Sequence, residues 1–216
     1  MKVSTDACLL GAWAPFRNDI RTVLDVGAGT GLLTLMLAQR FPEANYTALE
    51  IDTAAAAQAS DNFRRSPFAE RVDIVQADAR GWCPAGQYDA LICNPPFFQA
   101  SLKGPDERRN LARHDGSFRL QDLLELMSRS LKDSGEGCVL LPASMQENWE
   151  QLVSDSEWNI ARKLRIHPHS GKPFNRVITL LTRAVCERHE EDLSIYENPG
   201  KQYSAAFEDL LRPFYQ

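Results

Sequence analysis

Thr22-Val23-Leu24-Asp25-Val26-Gly27-Ala28-Gly29-Thr30-Gly31 is a buried-strand pattern that runs without a break into a glycine turn. Beyond the turn, Leu33, Met36, Leu37 and Phe41 recur at helical spacing. Strand, glycine turn, helix is the opening of a doubly wound α/β sheet. Glycine is required where the chain turns sharply and where backbone must approach a ligand with no Cβ in the way. Taken by itself the turn also reads as a purely structural one.

The residues around it narrow the reading. Dinucleotide sites use G-x-G-x-x-G, with phosphate on the helix N-terminus. Here Gly27, Gly29 and Gly31 give G-x-G-x-G, preceded by Asp25. An acid before the turn repels a pyrophosphate and suits an ammonium, such as the amino-acid end of S-adenosylmethionine. A second strand, Tyr46 to Leu49, ends in Glu50-Ile51-Asp52, with Glu50 19 residues after Gly31. That spacing places an acid to accept both ribose hydroxyls of a nucleoside. Thr53 is a candidate cap for the Ala-rich helix that runs to about Arg65. A third strand, Val72 to Gln76, leads to Asp78, placed to receive an adenine amino group. Singly these acids read as helix caps or solvated loop ends. Together they line the carboxyl edge of such a sheet, where ligands bind.

A fourth strand, Tyr88 to Cys93, delivers Asn94-Pro95-Pro96-Phe97-Phe98 to the same edge. Two consecutive prolines donate no backbone hydrogen bond and fix φ, so the loop is stiff and aims its acceptors. An amino group conjugated to a ring is a weak nucleophile because its lone pair is delocalised. If the Asn94 side-chain oxygen and the Pro95 carbonyl each accept one N–H, the nitrogen is drawn toward pyramidal geometry. Phe97 is placed to stack on the ring, an interaction of roughly 1–3 kcal/mol per base. Taken alone the stretch reads equally well as a proline-rich turn with two core phenylalanines.

These motifs in order, Asp25 to Gly31, Glu50, Asp78 and Asn94 to Phe97, resemble the class I S-adenosylmethionine-dependent methyltransferases that modify amino or amide nitrogens. More narrowly, Met1 to Asp6 with Leu9 to Pro15, together with Tyr203-Ser204 and Phe207, are similar to the bacterial tRNA(Val) adenine-N6 methyltransferase family. The resemblance covers nearly the whole chain. It implies an α/β, Rossmann-like class I methyltransferase fold: a seven-stranded, mostly parallel sheet with an antiparallel last strand and helices on both faces. It implies S-adenosylmethionine as cofactor, tRNA as partner, and an anticodon-loop adenine as target. Asn94, Pro95 and Phe97 are then the catalytic set. Asp25, Gly27, Gly29, Gly31, Glu50 and Asp78 hold the cofactor, with Thr5 at its carboxylate end. Members of that family carry a segment before the Lys-Val-x-Thr-Asp stretch where this chain starts, and that segment is expected to cover the cofactor or touch RNA.

The rest of the chain is read around this centre. Thr5 to Trp13 begins with a cap signal and reads as a short helix ended near Pro15. Gly104 to Gly116 is polar; Arg108, Arg109 and Arg113 there, with Pro96 and Phe98, are candidate substrate contacts, although an ordinary mobile loop fits as well. Leu120, Leu123, Leu124, Met127 and Leu131 form one helix face, closed by Gly135. Cys138 to Pro142 is a fifth strand and Met145 to Val153 a helix. Trp158 to Ile166 and Arg176 to Thr182 form a closing strand pair. From Asp192 the chain reads as a polar tail with an amphipathic turn, Phe207 to Phe214. The expected organisation is one domain, 1–216, with an N-terminal helical segment 1–16, a core 17–183 and a tail 184–216.

Composition bounds the alternatives. The chain has 216 residues, 44% hydrophobic, and a net charge of −5, which argues against a protein that coats nucleic acid indiscriminately. Trp158 to Arg183 holds six Lys/Arg and no acid, whereas Ala184 to Gln216 holds seven acids and three bases. A local basic surface or an ordinary solvated strand edge fits this equally. Five cysteines without a CxxC pair fit reduced thiols. His167-Pro168-His169 lacks partners at zinc-finger spacing, so no metal is expected. No stretch is long and apolar enough for a bilayer, so a cytoplasmic, membrane-free protein, taken as a monomer, is expected. Two rivals remain: a methyltransferase acting on a protein glutamine, whose amide presents the same two N–H donors, and a non-catalytic nucleoside- or RNA-binding module. An NAD enzyme is remote because the glycine spacing is wrong.

Overall fold

The structure, a computed structural model, describes residues 4–95, 118–198 and 202–215. Helix α1 (Thr5–Trp13) is capped by Ser4, whose hydroxyl accepts from the Ala7 N–H at 3.2 Å. Strand β1 (Thr22–Val26) and helix α2 (Leu32–Arg40) flank the glycine turn. Strand β2 (Asn45–Glu50) is followed by α3 (Thr53–Arg64), then β3 (Val72–Gln76) and β4 (Tyr88–Cys93). The cap of α3 is Asp52, not Thr53, because the Asp52 carboxylate accepts from the Ala55 N–H at 2.8 Å. Helix α4 (Leu120–Ser130) runs directly into β5 (Leu131–Pro142), so Gly135 lies within a strand and does not close the helix. Helix α5 (Gln146–Ser154), β6 (Asn159–His169), β7 (Arg176–Thr182), β8 (His189–Tyr196) and α6 (Ala205–Leu211) complete the described chain.

The strands form one sheet in the order β3-β2-β1-β4-β5-β7-β6-β8. All pairs are parallel except those of β7, which is antiparallel to both β5 and β6. Strand order reverses between β1 and β4, and ligands of open α/β sheets bind at such a switch point, beyond the carboxyl ends of the strands. The period-2 alternation of a strand divides the apolar residues between two cores. Val23, Ile92, Cys138 and Leu140 face α1, α2, α3 and α6 through Leu10, Leu37, Phe63 and Phe207. Leu24, Leu91, Val139 and Leu141 face α4 and α5 through Leu123, Met127 and Trp149. The strands at the switch point are buried on both faces, hence their continuous apolar composition. Among the described residues no helix is long and apolar enough to cross a membrane.

The fold class agrees with the sequence reading, but the sheet has eight strands where seven were expected. The added strand is β8, cut from the stretch read as a polar tail, and the antiparallel strand β7 is neither last in the chain nor at the edge of the sheet. Strand β8 is specified by charge. Glu191 pairs with Arg162, and Asp192 takes a guanidinium N–H of Arg165 at 2.6 Å. Arg165 also reaches Glu190 at 3.0 Å. Leu193 adds the apolar contact, with Phe207 and Leu211 of α6 buried in the same core. The basic and acidic segments thus neutralise one another as adjacent strands.

Candidate active site

The glycine turn begins where β1 ends. Gly27, Gly29 and Gly31 have φ of 71°, 58° and 83°, a left-handed region costly for any residue with a Cβ. The Gly27 and Ala28 N–H groups both donate to the Leu49 carbonyl, at 2.8 and 3.1 Å, which ties the turn to the end of β2. A Cβ at Gly31 would lie 2.3 Å from the Phe63 ring, so that glycine is needed for packing of α3. A Cβ at Gly27 would meet nothing within 4 Å, which leaves open space over the turn.

Two carboxylates brace this turn. Glu50, 8% exposed, accepts from the Gly29 N–H at 2.7 Å through Oε2 and from the Asp52 N–H at 2.9 Å through Oε1. A carboxylate has about four acceptor positions, so two remain for hydroxyl donors. Asp25 is fully buried, and its Oδ2 accepts from both the N–H and the hydroxyl of Thr34, at 3.1 and 2.6 Å. Its Oδ1 is buried without a hydrogen-bond partner among the described residues. Burial pushes the Asp25 carboxyl up to about 7; the Thr34 hydrogen bonds pull it the other way, and the charge of Glu50 adds to the rise. Binding a cation at Oδ1 would offset that desolvation.

Strand β4 pairs with β1 through Val26 and Cys93, so Asn94 lies beside the start of the glycine turn. The Cys93 thiol donates to the Val26 carbonyl at 3.3 Å and is pushed well up by burial and then by the negative charge of Asp25, which leaves it inert. Asn94 is half-buried and Pro95 buried. The Asn94 Oδ1, like Asp25 Oδ1, is buried and has no partner among the described residues. Buried polar atoms are almost always satisfied. Two unsatisfied acceptors at the ends of adjacent strands mark a place built for donors the protein does not itself supply.

The other expected residues fall as follows. Thr5 is exposed at the start of α1, whose Asp6 accepts from Arg176 at 3.0 Å; Arg176 pairs with Pro142 at the carboxyl end of β5, so Thr5 sits on the same edge of the sheet. Asp78 is on that edge too, but it is engaged. Its carboxylate accepts from the Arg80 N–H at 3.0 Å and from the Arg80 guanidinium, hydrogen bonds that hold its pKa below the usual aspartate range. An adenine amino group would share Asp78 with Arg80. Pro96, Phe97, Phe98, Arg108, Arg109 and Arg113 lie outside the described residues. Sequence reading missed Ile51, which is 61% exposed between Glu50 and Asp52 on the ligand edge. An apolar residue between two acids, directly after an edge-forming strand, was the available signal.

The set fits S-adenosylmethionine: an orphaned carboxylate oxygen for an ammonium, a braced carboxylate for ribose hydroxyls, an apolar surface for the adenine and, among the described residues, no nest of cations for phosphate. Comparison with known proteins agrees. The sequence matches the family described as Methyltransferase small domain over residues 12–114. It is 38% identical over 218 residues to the tRNA1(Val) (adenine(37)-N6)-methyltransferase of Dyadobacter fermentans, covering 100% of this chain and 90% of that protein. It is 39% identical over 215 residues to the protein of the same name from Vibrio cholerae, covering 100% of this chain and 88% of that one. Among solved structures, a predicted O-methyltransferase from Agrobacterium tumefaciens superposes with a TM-score of 0.74 at 17% identity, over 97% of this chain and 96% of that one. The glycopeptide N-methyltransferase MtfA, complexed with S-adenosylmethionine, gives a TM-score of 0.58 at 13% identity, over 84% of this chain and 99% of that one. The structural likenesses establish the fold; the identity with the two bacterial relatives extends over the full length. The chain belongs to the tRNA1(Val) (adenine(37)-N6)-methyltransferase family.

Proposed function

We propose that this protein transfers a methyl group from S-adenosylmethionine to N6 of adenine 37 in tRNA1(Val). The observation that carries the reading is the Oδ1 of Asn94, buried beside the glycine turn and without a partner among the described residues, in a chain similar over its full length to enzymes of that name. Asp25 takes the cofactor's ammonium through Oδ1, Glu50 takes the ribose hydroxyls, and Ile51 covers an adenine face. When bound, S-adenosylmethionine supplies an electrophilic methyl carried on a positively charged sulfur. Asn94 accepts one N6 hydrogen through Oδ1 and Pro95 accepts the other through its carbonyl, which localises the nitrogen lone pair and aims it. Phe97 stacks on the base. The proton lost after transfer leaves to water, since a neutral amide is a poor base at Asn94. Positioning of this kind dominates such a displacement.

The target base must leave its stack, a cost of a few kcal/mol that is least in a single-stranded loop. Arg108, Arg109 and Arg113 follow the catalytic loop and are assigned to the RNA backbone, and the protein acts as a monomer in the cytoplasm. The test is transfer of labelled methyl to two transcripts, tRNA1(Val) and the same RNA with guanine at position 37, followed by digestion to nucleosides. Label in N6-methyladenosine from the first transcript and none from the second is the expected result. Label elsewhere in the RNA, or only in a protein glutamine, would overturn it.

A further inference from the structure

Helix α2 begins with a backbone donor that its own cap cannot take. The first turn of a helix leaves N–H groups without an intrahelical partner. The residue before α2 is Gly31, which has no side chain to offer them. The Thr34 N–H turns instead to the Asp25 carboxylate of β1, at 3.1 Å.

The Thr34 hydroxyl goes the same way. Thr34 is fully buried, and the other buried residues of α2 are Leu33, Met36, Leu37 and Ala38. A valine would fill that space with no polar atom to satisfy. A buried helical threonine can satisfy its hydroxyl on the carbonyl four residues back; this one donates to Asp25 Oδ2 at 2.6 Å. That is the length of an O–H bond to a charged oxygen, shorter than the roughly 2.7–2.8 Å usual for a neutral one.

Both bonds fall on one oxygen, and that decides which oxygen is left. A carboxylate oxygen has two lone pairs, and Thr34 takes both on Oδ2. Oδ1 is buried with no partner among the described residues. A proton and an ammonium thus compete for the same atom. The titratable groups that face Asp25 give the anion no help. Glu50 at the end of β2 repels it, and Cys93 of β4 is a buried, neutral thiol. The charged residue of α2, Arg40, lies at the far end of the helix and bonds the Gly11 carbonyl. Burial raises the Asp25 carboxyl most, to about 7, and the Thr34 hydroxyl and N–H are what oppose it.

We propose that Thr34 is a positioning residue of the cofactor site: its N–H and hydroxyl fill Oδ2 of Asp25, which leaves Oδ1 for the cofactor's ammonium and favours the anion that receives it. The inference rests on Asp25 taking that ammonium. It is tested with Thr34→Val, which nearly keeps the shape and keeps the N–H but loses the hydroxyl, and with Thr34→Ser, which keeps both donors. Thr34→Ala carries the same prediction as Thr34→Val should the valine variant not fold. Two quantities are read. One is the titration of the Asp25 carboxyl by carbon NMR in cofactor-free protein, its signal assigned with Asp25→Asn. The other is the dissociation constant of S-adenosylmethionine between about pH 5.5 and 9.

Losing one hydrogen bond to a charged group should move the Asp25 midpoint up by roughly 1–2 pH units in Thr34→Val. Cofactor affinity should then fall below that of the wild type by roughly 10- to 100-fold near pH 6, and the gap should close as pH rises past the variant's midpoint. The cofactor's own titration cancels from this ratio, because both proteins meet the same ligand. Thr34→Ser should restore the midpoint and the affinity. An unmoved midpoint in the folded variant that lacks the hydroxyl, or an affinity ratio that is the same at every pH, would overturn the proposal, since a side chain that only packs gives those results. Asp25→Asn that binds S-adenosylmethionine as tightly as the wild type would overturn instead the placement of the ammonium beneath it.

Discussion

The two halves of the sheet treat buried charge in opposite ways. At the ends of β1 and β4, Asp25 is fully buried and one of its carboxylate oxygens has no partner among the described residues; the amide oxygen of Asn94 has none among them either. In the β6–β8 half, Lys163 has a side chain only 4% exposed and meets Glu150 at 2.8 Å. Glu150 also takes Arg188 at 2.9 Å. Burial pushes Glu150 up, but Arg188 and Lys163 outweigh it and bring its pKa to about 2. The first half holds acceptors open at adjacent strand ends at a cost in the free protein, whereas the second fills its buried carboxylate with its own cations, although Gln146 Oε1 beside Glu150 is also buried without a partner among the described residues. It is the convergence of two such oxygens at the ends of adjacent strands that marks where a ligand completes the structure.

The largest effect should come from Asp25. Its carboxyl is raised in the folded state to about 7, against about 3.9 in an unfolded chain. Between these values the folded state holds the proton more tightly, so its contribution to stability is present below about pH 4 and is lost as pH rises to 7. The stability difference between wild type and Asp25→Asn should therefore vary by about 4 kcal/mol over that window, to be measured by urea unfolding at successive pH values without cofactor. Cofactor affinity runs the other way, because the ammonium needs the carboxylate. In the wild type it should fall about tenfold per unit of pH below 7, and in Asp25→Asn it should be weak and flat. A flat wild-type profile would break the contrast between the two halves.

Lys163→Met should give a smaller effect, confined to stability. It leaves Glu150 with Arg188 and the Gln146 amide, at a cost of about 2 kcal/mol, less than a fully buried broken pair because Glu150 is 28% exposed. Denaturant midpoints should fall, while the methyl-transfer rate per folded molecule should stay that of the wild type. A drop in that rate would show that the β6–β8 half is not merely self-completing.

How far the sequence led follows from the range over which each element is specified. Strands β1, β3 and β4 were read with the ends the structure gives, because each is a short local apolar run closed by a break in that pattern, at Gly27, at Ala77-Asp78 and at Asn94-Pro95. The glycine turn was legible for the same reason: a positive φ at Gly27, Gly29 and Gly31 is a local demand. Strand β8 was not, because His189-Glu190-Glu191-Asp192 carries no alternation and becomes a strand only through Arg162 and Arg165, 27 to 29 residues away. That pairing, with the ion pairs of Lys163 to Glu150, Arg176 to Asp6 and Arg183 to Glu157, removed the broad basic surface that the charge count left open. At the site, the acids at the strand ends were found from spacing, but spacing could not show that Asp78 is engaged by Arg80 or that one oxygen of Asp25 has no partner.

The central claim is that the unpartnered Asn94 oxygen is an acceptor for the substrate amine. The measurement that tests it most directly is the single-turnover rate of methyl transfer to tRNA1(Val) by Asn94→Ala, with tRNA and cofactor both saturating, beside its denaturant midpoint. The account predicts a rate lower by about 100-fold or more, the scale of lost positioning, with stability and cofactor affinity close to those of the wild type. A rate within a few-fold of the wild type would contradict it.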